Sequence, residues 1–286
     1  MKKVLVLGSS GMAGHIVTTY LMERKAFDVY NLSHRVKVDD RTTVMDVTDF
    51  KSLGEYLDKI NPDVVINCIG ILNMNAERNK DSAVLLNSYL PHFLESKYKD
   101  KNTKVIHIST DCVFSGKTGG YKEDSFRDGD TFYDRTKAIG EIVNDKDLTF
   151  RTSIIGPELS LNGIGLFNWF MKQNGSINGY ANAIWTGVTT VELAKAIEAA
   201  IATDLKGLYH LVPTKGVNKY ELLKLFKNEF NMSNIEIQRF EDFVLDKSLI
   251  NTRTDFDYKV PDYETMIKEM REWMENHREF YSHYGM

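Results

Sequence analysis

The sequence predicts an α/β fold, a doubly wound parallel sheet joined to a smaller C-terminal lobe. Three observations carry this. Short apolar runs alternate with helical segments from Lys2 to about Arg151, the pattern of a parallel sheet covered on both faces. The first run enters a glycine turn at Gly8, Gly11 and Gly14. The alternation then stops at Gly156-Pro157, where a region of different character begins.

Lys3 to Leu7 is a short apolar run of the kind that forms a strand buried on both faces, and Gly8 to Gly14 follows at once. A strand, a glycine turn and a helix start in that order favour a dinucleotide site of the Rossmann type. Gly8 permits the turn, Gly11 lets the backbone approach a pyrophosphate, and Gly14 allows close packing of helix on strand, with Met12 in the first helical turn. The spacing is Gly-x-x-Gly-x-x-Gly, a departure from the commoner Gly-x-Gly-x-x-Gly, so a plain structural turn is the competing reading.

Asp28 to Leu32 reads as the second strand and is followed by Ser33-His34-Arg35. No acidic residue closes it to hold a ribose 2′-hydroxyl, whereas Arg35 suits a 2′-phosphate, which favours NADPH and leaves NADH open. Asp46 and Val47, after the next short strand, are placed beside the adenine, and Asp49 reads as a helix cap. Asp63 to Ile69 is a further strand that brings Cys68 and Gly70 to its end, and Lys104 to Ile108 delivers Ser109, Thr110 and Asp111. Ligands of open parallel sheets bind outside the carboxyl ends of the strands, so these residues should converge on one crevice.

Leu85 to Tyr98 and Phe132 to Val143 read as helices. On the second, Tyr133 and Lys137 share a face one turn apart. A neighbouring ammonium would lower the phenol's pKa from about 10 and suit it to acid-base work, although a surface tyrosine and a solvated lysine at this spacing are common. Past Thr152, Gly163 to Met171 starts a short helix and the glycine- and asparagine-rich stretch from Asn174 to Asn182 reads as loops over the crevice. Val191 to Ala202 is an amphipathic helix, Gly207 to Val212 a strand returning to the large sheet, and Tyr220 to Phe230 and Tyr263 to His277 two further helices. The expected division is a nucleotide-binding domain at 1–155, rejoined by 185–213, and a substrate-binding lobe at 156–184 and 214–286.

At 286 residues and 42% hydrophobic content the chain can bury one large core and a smaller one. A net charge of -4 with interspersed signs offers no basic face to nucleic acid, and no apolar run is long enough for a membrane. The first strand begins at the N-terminus, so a cytoplasmic protein without a signal peptide is expected. Two cysteines, Cys68 and Cys112, fit buried thiols better than a disulfide, and the seven histidines show no metal-ligand spacing, so no metal is expected.

Taken in order, Gly8-x-x-Gly11-x-x-Gly14, Ser109 to Gly116 (Ser-Thr-Asp-Cys-Val-Phe-Ser-Gly), Tyr133-x-x-x-Lys137 with Gly140-Glu141, and Arg151-Thr152-Ser153 resemble the extended short-chain dehydrogenase/reductases. Among these the chain is most similar to dTDP-4-dehydrorhamnose reductases and related sugar-nucleotide reductases. The resemblance covers nearly the whole chain, including Gly207 to Leu211 and Asp246-Lys247-Ser248. It implies that Tyr133 donates a proton, that Lys137 binds the nicotinamide ribose and lowers the Tyr133 pKa, and that Thr110 hydrogen-bonds the sugar oxygen. The reaction implied is hydride transfer from NAD(P)H to the C4 ketone of a nucleotide-linked 4-keto-6-deoxy sugar, for a cell-surface polysaccharide. Asp111, Cys112, Val113 and Trp185 are candidate substrate contacts, Thr186 a further one, Asn87 a structural residue, and Arg253 a candidate for the diphosphate.

Cys112 stands where the family often has Tyr, and Ile154 where it usually has Trp, which leaves the sugar open. A reductase of a UDP-linked 2-acetamido-4-keto sugar fits as well. An epimerase or dehydratase shares the cofactor site, but Asp111-Cys112 lacks the second carboxylate a dehydratase needs. A regulatory subunit of the same fold is the non-catalytic alternative, and the resemblance suggests a homodimer through the Leu85 and Phe132 helices.

Overall fold

The computed structural model describes residues 1–160 and 162–285. In chain order the strands are β1 (Lys2–Leu7), β2 (Phe27–Ser33), β3 (Thr42–Val44), β4 (Val64–Asn67), β5 (Lys104–Thr110), β6 (Leu148–Thr152), β7 (Ile154–Ile155), β8 (Gly175–Trp185), β9 (Val188–Thr189), β10 (Gly207–His210), β11 (Val217–Asn218) and β12 (Ile235–Asp246). The α-helices are α1 (Met12–Glu23), α2 (Phe50–Ile60), α3 (Asn73–Arg78), α4 (Lys80–Ala83), α5 (Leu90–Tyr98), α6 (Phe132–Ile139), α7 (Leu166–Phe170), α8 (Thr190–Ile201), α9 (Lys219–Glu229), α10 (Tyr263–Asn276) and α11 (Arg278–Tyr281).

Seven parallel strands form the main sheet in the order β10-β6-β5-β4-β1-β2-β3. Successive side chains of a strand point to opposite faces. Val4 and Val6 of β1 accordingly enter one buried cluster with α1, α8 and α10, while Leu5 and Leu7 enter another with α2 and α5. Both faces are covered, which is why the strand sequences are apolar throughout. Strand order reverses between β1 and β4, and the loops after these two strands flank the crevice where a nucleotide binds in such sheets. β10 pairs with β6, so the chain returns to the main sheet after α8.

Four elements differ from the sequence expectations, the first being the helix expected over Phe132 to Val143, which stops at Ile139 with Gly140 as its cap. The stretch expected as loops from Asn174 to Asn182 lies, from Gly175 onward, within β8, the centre of a second sheet ordered β11-β8-β12. Its Gly and Asn residues stand on a small, half-exposed sheet where alternate positions face solvent. β12, parallel to β8, has no counterpart in the sequence reading. The helix expected over Leu85 to Tyr98 begins as a π-helical turn at Val84–Tyr89 before α5. There the Asn87 side chain donates to the Ile71 carbonyl (2.9 Å) and accepts from the Ile71 N–H (2.8 Å), and Ser88 donates to the Thr136 carbonyl (2.8 Å). Widened turns of this kind are frequent beside functional sites, and this one clamps the loop after β4 to α6.

Buried neutral histidines tie distant segments together. His15 donates from Nδ1 to the Gly11 carbonyl (2.8 Å) and accepts at Nε2 from the Tyr281 hydroxyl (2.8 Å). His210 donates from Nδ1 to the Ile250 carbonyl (2.9 Å) and accepts at Nε2 from Arg151 (2.8 Å). Burial lowers each from 6.5 to about 4. A group that takes up its proton more readily unfolded than folded destabilises the fold as pH drops through its unfolded pKa. Each histidine should therefore remove about 2 kcal/mol between pH 7 and pH 5. Urea denaturation at the two pH values measures the loss. Equal stability at both would refute the assignment of neutral, buried imidazoles.

Candidate active site

Gly8 adopts φ +85° at the carboxyl end of β1, a left-handed conformation that favours glycine. A Cβ on Gly14 would sit 2.0 Å from the Gly8 carbonyl oxygen, so helix and turn can touch only because no side chain intervenes. Gly11 occupies the N-cap of the 12-residue α1 without a side-chain cap, leaving the first N–H groups of the helix directed at the crevice. This cradle fits a pyrophosphate. Arg35 is exposed beyond the end of β2, where a ribose 2′-phosphate would lie. Asp46 is also exposed and is held by Thr48 (2.8 Å and 2.9 Å), while the Val47 side chain is turned into the core, which leaves its backbone as the part available to an adenine. Asp49 caps α2 through the Ser52 N–H (3.1 Å). Cys68 is half-buried against Gly8 and its thiol is pushed up to about 12 by burial, a packing residue and not a nucleophile. Gly70 opens onto a cavity of about 370 Å³ with Ile71, Leu72, Asn75, Asn79 and Ile164.

The acid-base residues are placed by local sequence. Thr131 and Asp134 form a reciprocal capping box, and Glu77 accepts from the Phe132 N–H (2.6 Å), so the start of α6 is fixed from two sides. Tyr133 and Lys137 follow on its buried face, 6% and 4% exposed. Thr110, the last residue of β5, accepts from the Cys112 N–H (3.1 Å) and donates to the Asp111 carboxylate (3.1 Å), and its hydroxyl lies near enough to the Tyr133 phenol to lower that group's pKa. Thr110, Tyr133 and Asp111 thus meet at one point.

The pKa of Tyr133 departs from expectation. Burial raises it above 10.0, and Cys112, Asp111 and Asp134 push the same way, against which the nearby Thr110 hydroxyl acts. The Lys137 ammonium does not reach the phenol's oxygen. It donates to the Ile108 carbonyl (2.9 Å) and lies 3.5 Å from His107 Nε2, and burial brings its own pKa down to about 8. A protonated phenol is the form a proton donor requires, so the correction leaves the donor role intact.

The substrate side of the crevice holds a residue that sequence reasoning missed. Lys219, at the start of α9, lies with its ammonium 4.7 Å above the Trp185 ring. Lys219 and Lys247 both bear on the Asp111 carboxylate, whose pKa burial raises and these two cations lower. Enclosure brings Lys219 down to about 8. Its link to Asp111 spans more than a hundred residues of sequence, and no local pattern announces it. Lys247 is brought in because the 116–121 loop is tied to the segment after β12, through Asp246 N–H to Gly116 O (2.9 Å) and Tyr121 N–H to Ser248 O (2.9 Å). Trp185 is buried and packs on Tyr263 (5.5 Å between centroids), offering one face to Lys219. Cys112 is half-buried beside Asp111, its thiol pushed up to about 12.

Three other sequence candidates fall outside the site. Val113 is fully buried among Phe114, Tyr121 and Leu249, so its side chain supports the loop and does not meet substrate. Thr186 is committed to the Leu249 N–H (2.9 Å). Arg253 lies near Gly207, at the opposite, amino end of the strands, where it donates to the Lys206 (2.6 Å) and Leu208 (2.9 Å) carbonyls and pairs with Asp255. It cannot meet a diphosphate in the crevice. Among the described residues no group of three or more His, Cys, Asp or Glu is arranged for a metal, and no helix is long and apolar enough to cross a membrane.

The family model described as the RmlD substrate binding domain matches residues 1–270. The chain belongs to this family. Among its relatives, the spore coat polysaccharide biosynthesis protein SpsK of Bacillus subtilis is 26% identical over 80% of each chain. The dTDP-4-dehydrorhamnose reductase of Aggregatibacter actinomycetemcomitans is 24% identical over 94% of this chain and 88% of that one. In shape, the crystal structure of dTDP-4-dehydrorhamnose reductase from Bacillus anthracis in complex with NADP superposes with a TM-score of 0.81 at 21% identity, covering 96% of this chain and 99% of that one. The reductase fold of the RmlD family is therefore present along nearly the full length of the chain.

Proposed function

We infer that this member of the RmlD family is an NADPH-dependent sugar-nucleotide reductase of polysaccharide biosynthesis, acting on the C4 ketone of a nucleotide-linked 4-keto-6-deoxy sugar. The observation that carries the reading is the meeting of Thr110 and Tyr133 at the carboxyl end of β5, with Lys137 on the same helical face and the Gly8–Gly14 cradle across the strand-order switch. Its relatives that are dTDP-4-dehydrorhamnose and dTDP-4-keto-6-deoxy-D-glucose reductases point the same way. Gly8, Gly11, Gly14 and the α1 N-terminus would hold the cofactor's pyrophosphate and Arg35 its 2′-phosphate. When bound, NADPH supplies the hydride that the carbonyl carbon receives.

The protein's own part is to manage the carbonyl oxygen. Tyr133 donates its phenolic proton to that oxygen as negative charge develops there, and Thr110 hydrogen-bonds it. Lys137, held by the Ile108 carbonyl, sits on the same face of α6 as Tyr133 and bears its charge toward the nicotinamide ribose. The protein around Tyr133 excludes water, so the proton it gives up has one destination. Lys219 and Lys247 answer the negative charge of a nucleotide diphosphate, and Trp185, buried beneath Lys219, holds that ammonium in place.

The experiment is the fall in reduced-nicotinamide absorbance when the purified protein meets freshly generated dTDP- or UDP-linked 4-keto-6-deoxy sugars, with NADPH and NADH compared. Stoichiometric consumption is expected, preferring NADPH. Binding of NADPH without consumption on any of these sugars would sink the reading and favour a regulatory subunit. Removal of one cation in Lys219→Met should raise KM for the nucleotide sugar about tenfold, equivalent to about 1.4 kcal/mol, with the Kd for NADPH unchanged. A KM within twofold of the parent would remove Lys219 from the substrate site.

A further inference from the structure

Lys137 is reached from beneath by a hydrogen-bonded chain that the reductase reading does not use. Asn67, the last residue of β4, and His107, on the adjacent β5, are both fully buried. The Asn67 side chain has one atom 3.1 Å from the Ile69 main-chain nitrogen and the other 3.2 Å from His107 Nδ1. A backbone N–H can only donate, so the atom facing Ile69 is Oδ1 and the atom facing His107 is the amide Nδ2, which also can only donate. Nδ1 of His107 therefore accepts. A neutral imidazole carries one proton, and with Nδ1 bare that proton must be on Nε2, which lies 3.5 Å from Lys137 Nζ.

We propose that Asn67 and His107 are positioning residues for Lys137: by fixing the imidazole as its Nε2–H tautomer they turn an N–H toward the lysine nitrogen, and so favour the neutral amine, which can accept it, over the ammonium, which cannot. The other groups around Lys137 do not reverse this. Ile108 accepts from Nζ in either protonation state, Glu141 attracts the ammonium from just past the end of α6, Cys68 stays a thiol, and His92, which bears on His107, is engaged with Glu95 and the Ile139 carbonyl. Burial holds His107 well below its ordinary 6.5, so the ring stays neutral through the physiological range and the tautomer, not a ring charge, is what Lys137 meets. Burial already brings Lys137 down to about 8, and the facing N–H acts in the same direction, giving a lysine that gains or loses its proton near neutral pH, next to the residue that gives a proton to substrate. That consequence rests on the reductase reading; the tautomer and the titration belong to the free protein.

The test is made first on the unmodified chain without cofactor. Nitrogen-15 spectra of histidine-labelled protein, with His107 assigned by its loss in His107→Gln, report which ring nitrogen is protonated. Nε2–H with bare Nδ1 is expected at pH 7, and Nδ1–H overturns the proposal. The second measurement follows Lys137 by the carbon-13 shift of its Cε, assigned by loss in Lys137→Met. Asn67→Asp offers only acceptors, so it should move the ring proton to Nδ1, present a bare Nε2 to Lys137 and raise the lysine's midpoint by about one pH unit. A folded Asn67→Asp protein with an unmoved midpoint overturns the proposal, and so does a raised midpoint with the ring proton still on Nε2, because the added carboxylate raises the lysine by charge alone. Should that variant not fold, the parent's tautomer decides alone. Absence of turnover on every keto sugar would remove the reductase reading and leave these two results standing.

Discussion

Tyr133→Phe is expected to lower kcat by ~10²–10⁴-fold on the sugar that supports NADPH consumption, with little change in the Kd for NADPH and an unchanged unfolding midpoint. The substitution removes one oxygen from a phenol lodged between Thr110 and Cys112 and keeps the ring that packs with Ala76 and Ala83. Burial raises the Tyr133 pKa, so in the free protein the donor keeps its proton above pH 10 and the reduction should not fail on the alkaline side through loss of this proton. The charge that changes nearer neutrality is on Lys137, whose pKa is about 8. A pH profile of kcat/KM should therefore bend near pH 8, where Lys219 also titrates, and the bend that remains in Lys219→Met should be abolished by adding Lys137→Met. A Tyr133→Phe enzyme with more than a tenth of the parent kcat would show that another group supplies the proton.

The fold was legible wherever the physical cause was local. A strand buried on both faces must be a short apolar run, and a helix that packs against its own turn must begin with glycines, so Lys2–Leu7 and Gly8 to Gly14 declared themselves. Tyr133 and Lys137 were readable for the same reason, since four residues on a helix fix a common face. β8 was misread because its glycines and asparagines outweighed a weaker signal: from Gly179 to Ala183 buried and exposed positions alternate strictly, the period of a half-buried strand. What was illegible depends on contacts between remote segments. Lys219 meets Asp111 only after α9 folds over the crevice, and Asn67 meets His107 only because β4 and β5 pair in one register. Arg253 shows the reverse failure: an arginine suits a diphosphate by chemistry, but the chain carries it to the wrong end of the strands.

The largest loss of stability is expected from Arg151→Ala. Arg151 is 1% exposed and grips Glu141 with two hydrogen bonds of 2.7 Å, while Ser109 and Arg127 also donate to that carboxylate (2.7 and 2.9 Å) and His210 accepts from the guanidinium (2.8 Å). Burial alone would raise the Glu141 carboxyl, and the Arg151 hydrogen bond and charge outweigh it, leaving the group below its ordinary 4.5. Truncating one member of such a pair leaves the other charged and desolvated, at a cost of about 3–5 kcal/mol. The sign with pH follows. In the parent, the depressed carboxyl adds stability above its unfolded pKa and loses it as pH falls through the folded value. In Arg151→Ala, burial dominates and the Glu141 pKa should rise above its unfolded value, so the penalty is greatest at neutral pH and shrinks as acid neutralises the carboxylate. Urea denaturation of parent and variant at pH 7.5 and 5.5 should show the gap narrowing. A double substitution, Arg151→Met with Glu141→Met, removes both buried charges and should recover most of the loss, because the one ion left without its partner, Arg127, has a side chain 43% exposed to water. A double variant as unstable as Arg151→Ala would locate the cost in lost packing against the Phe114 ring, 4.9 Å from the guanidinium, and not in the orphaned carboxylate.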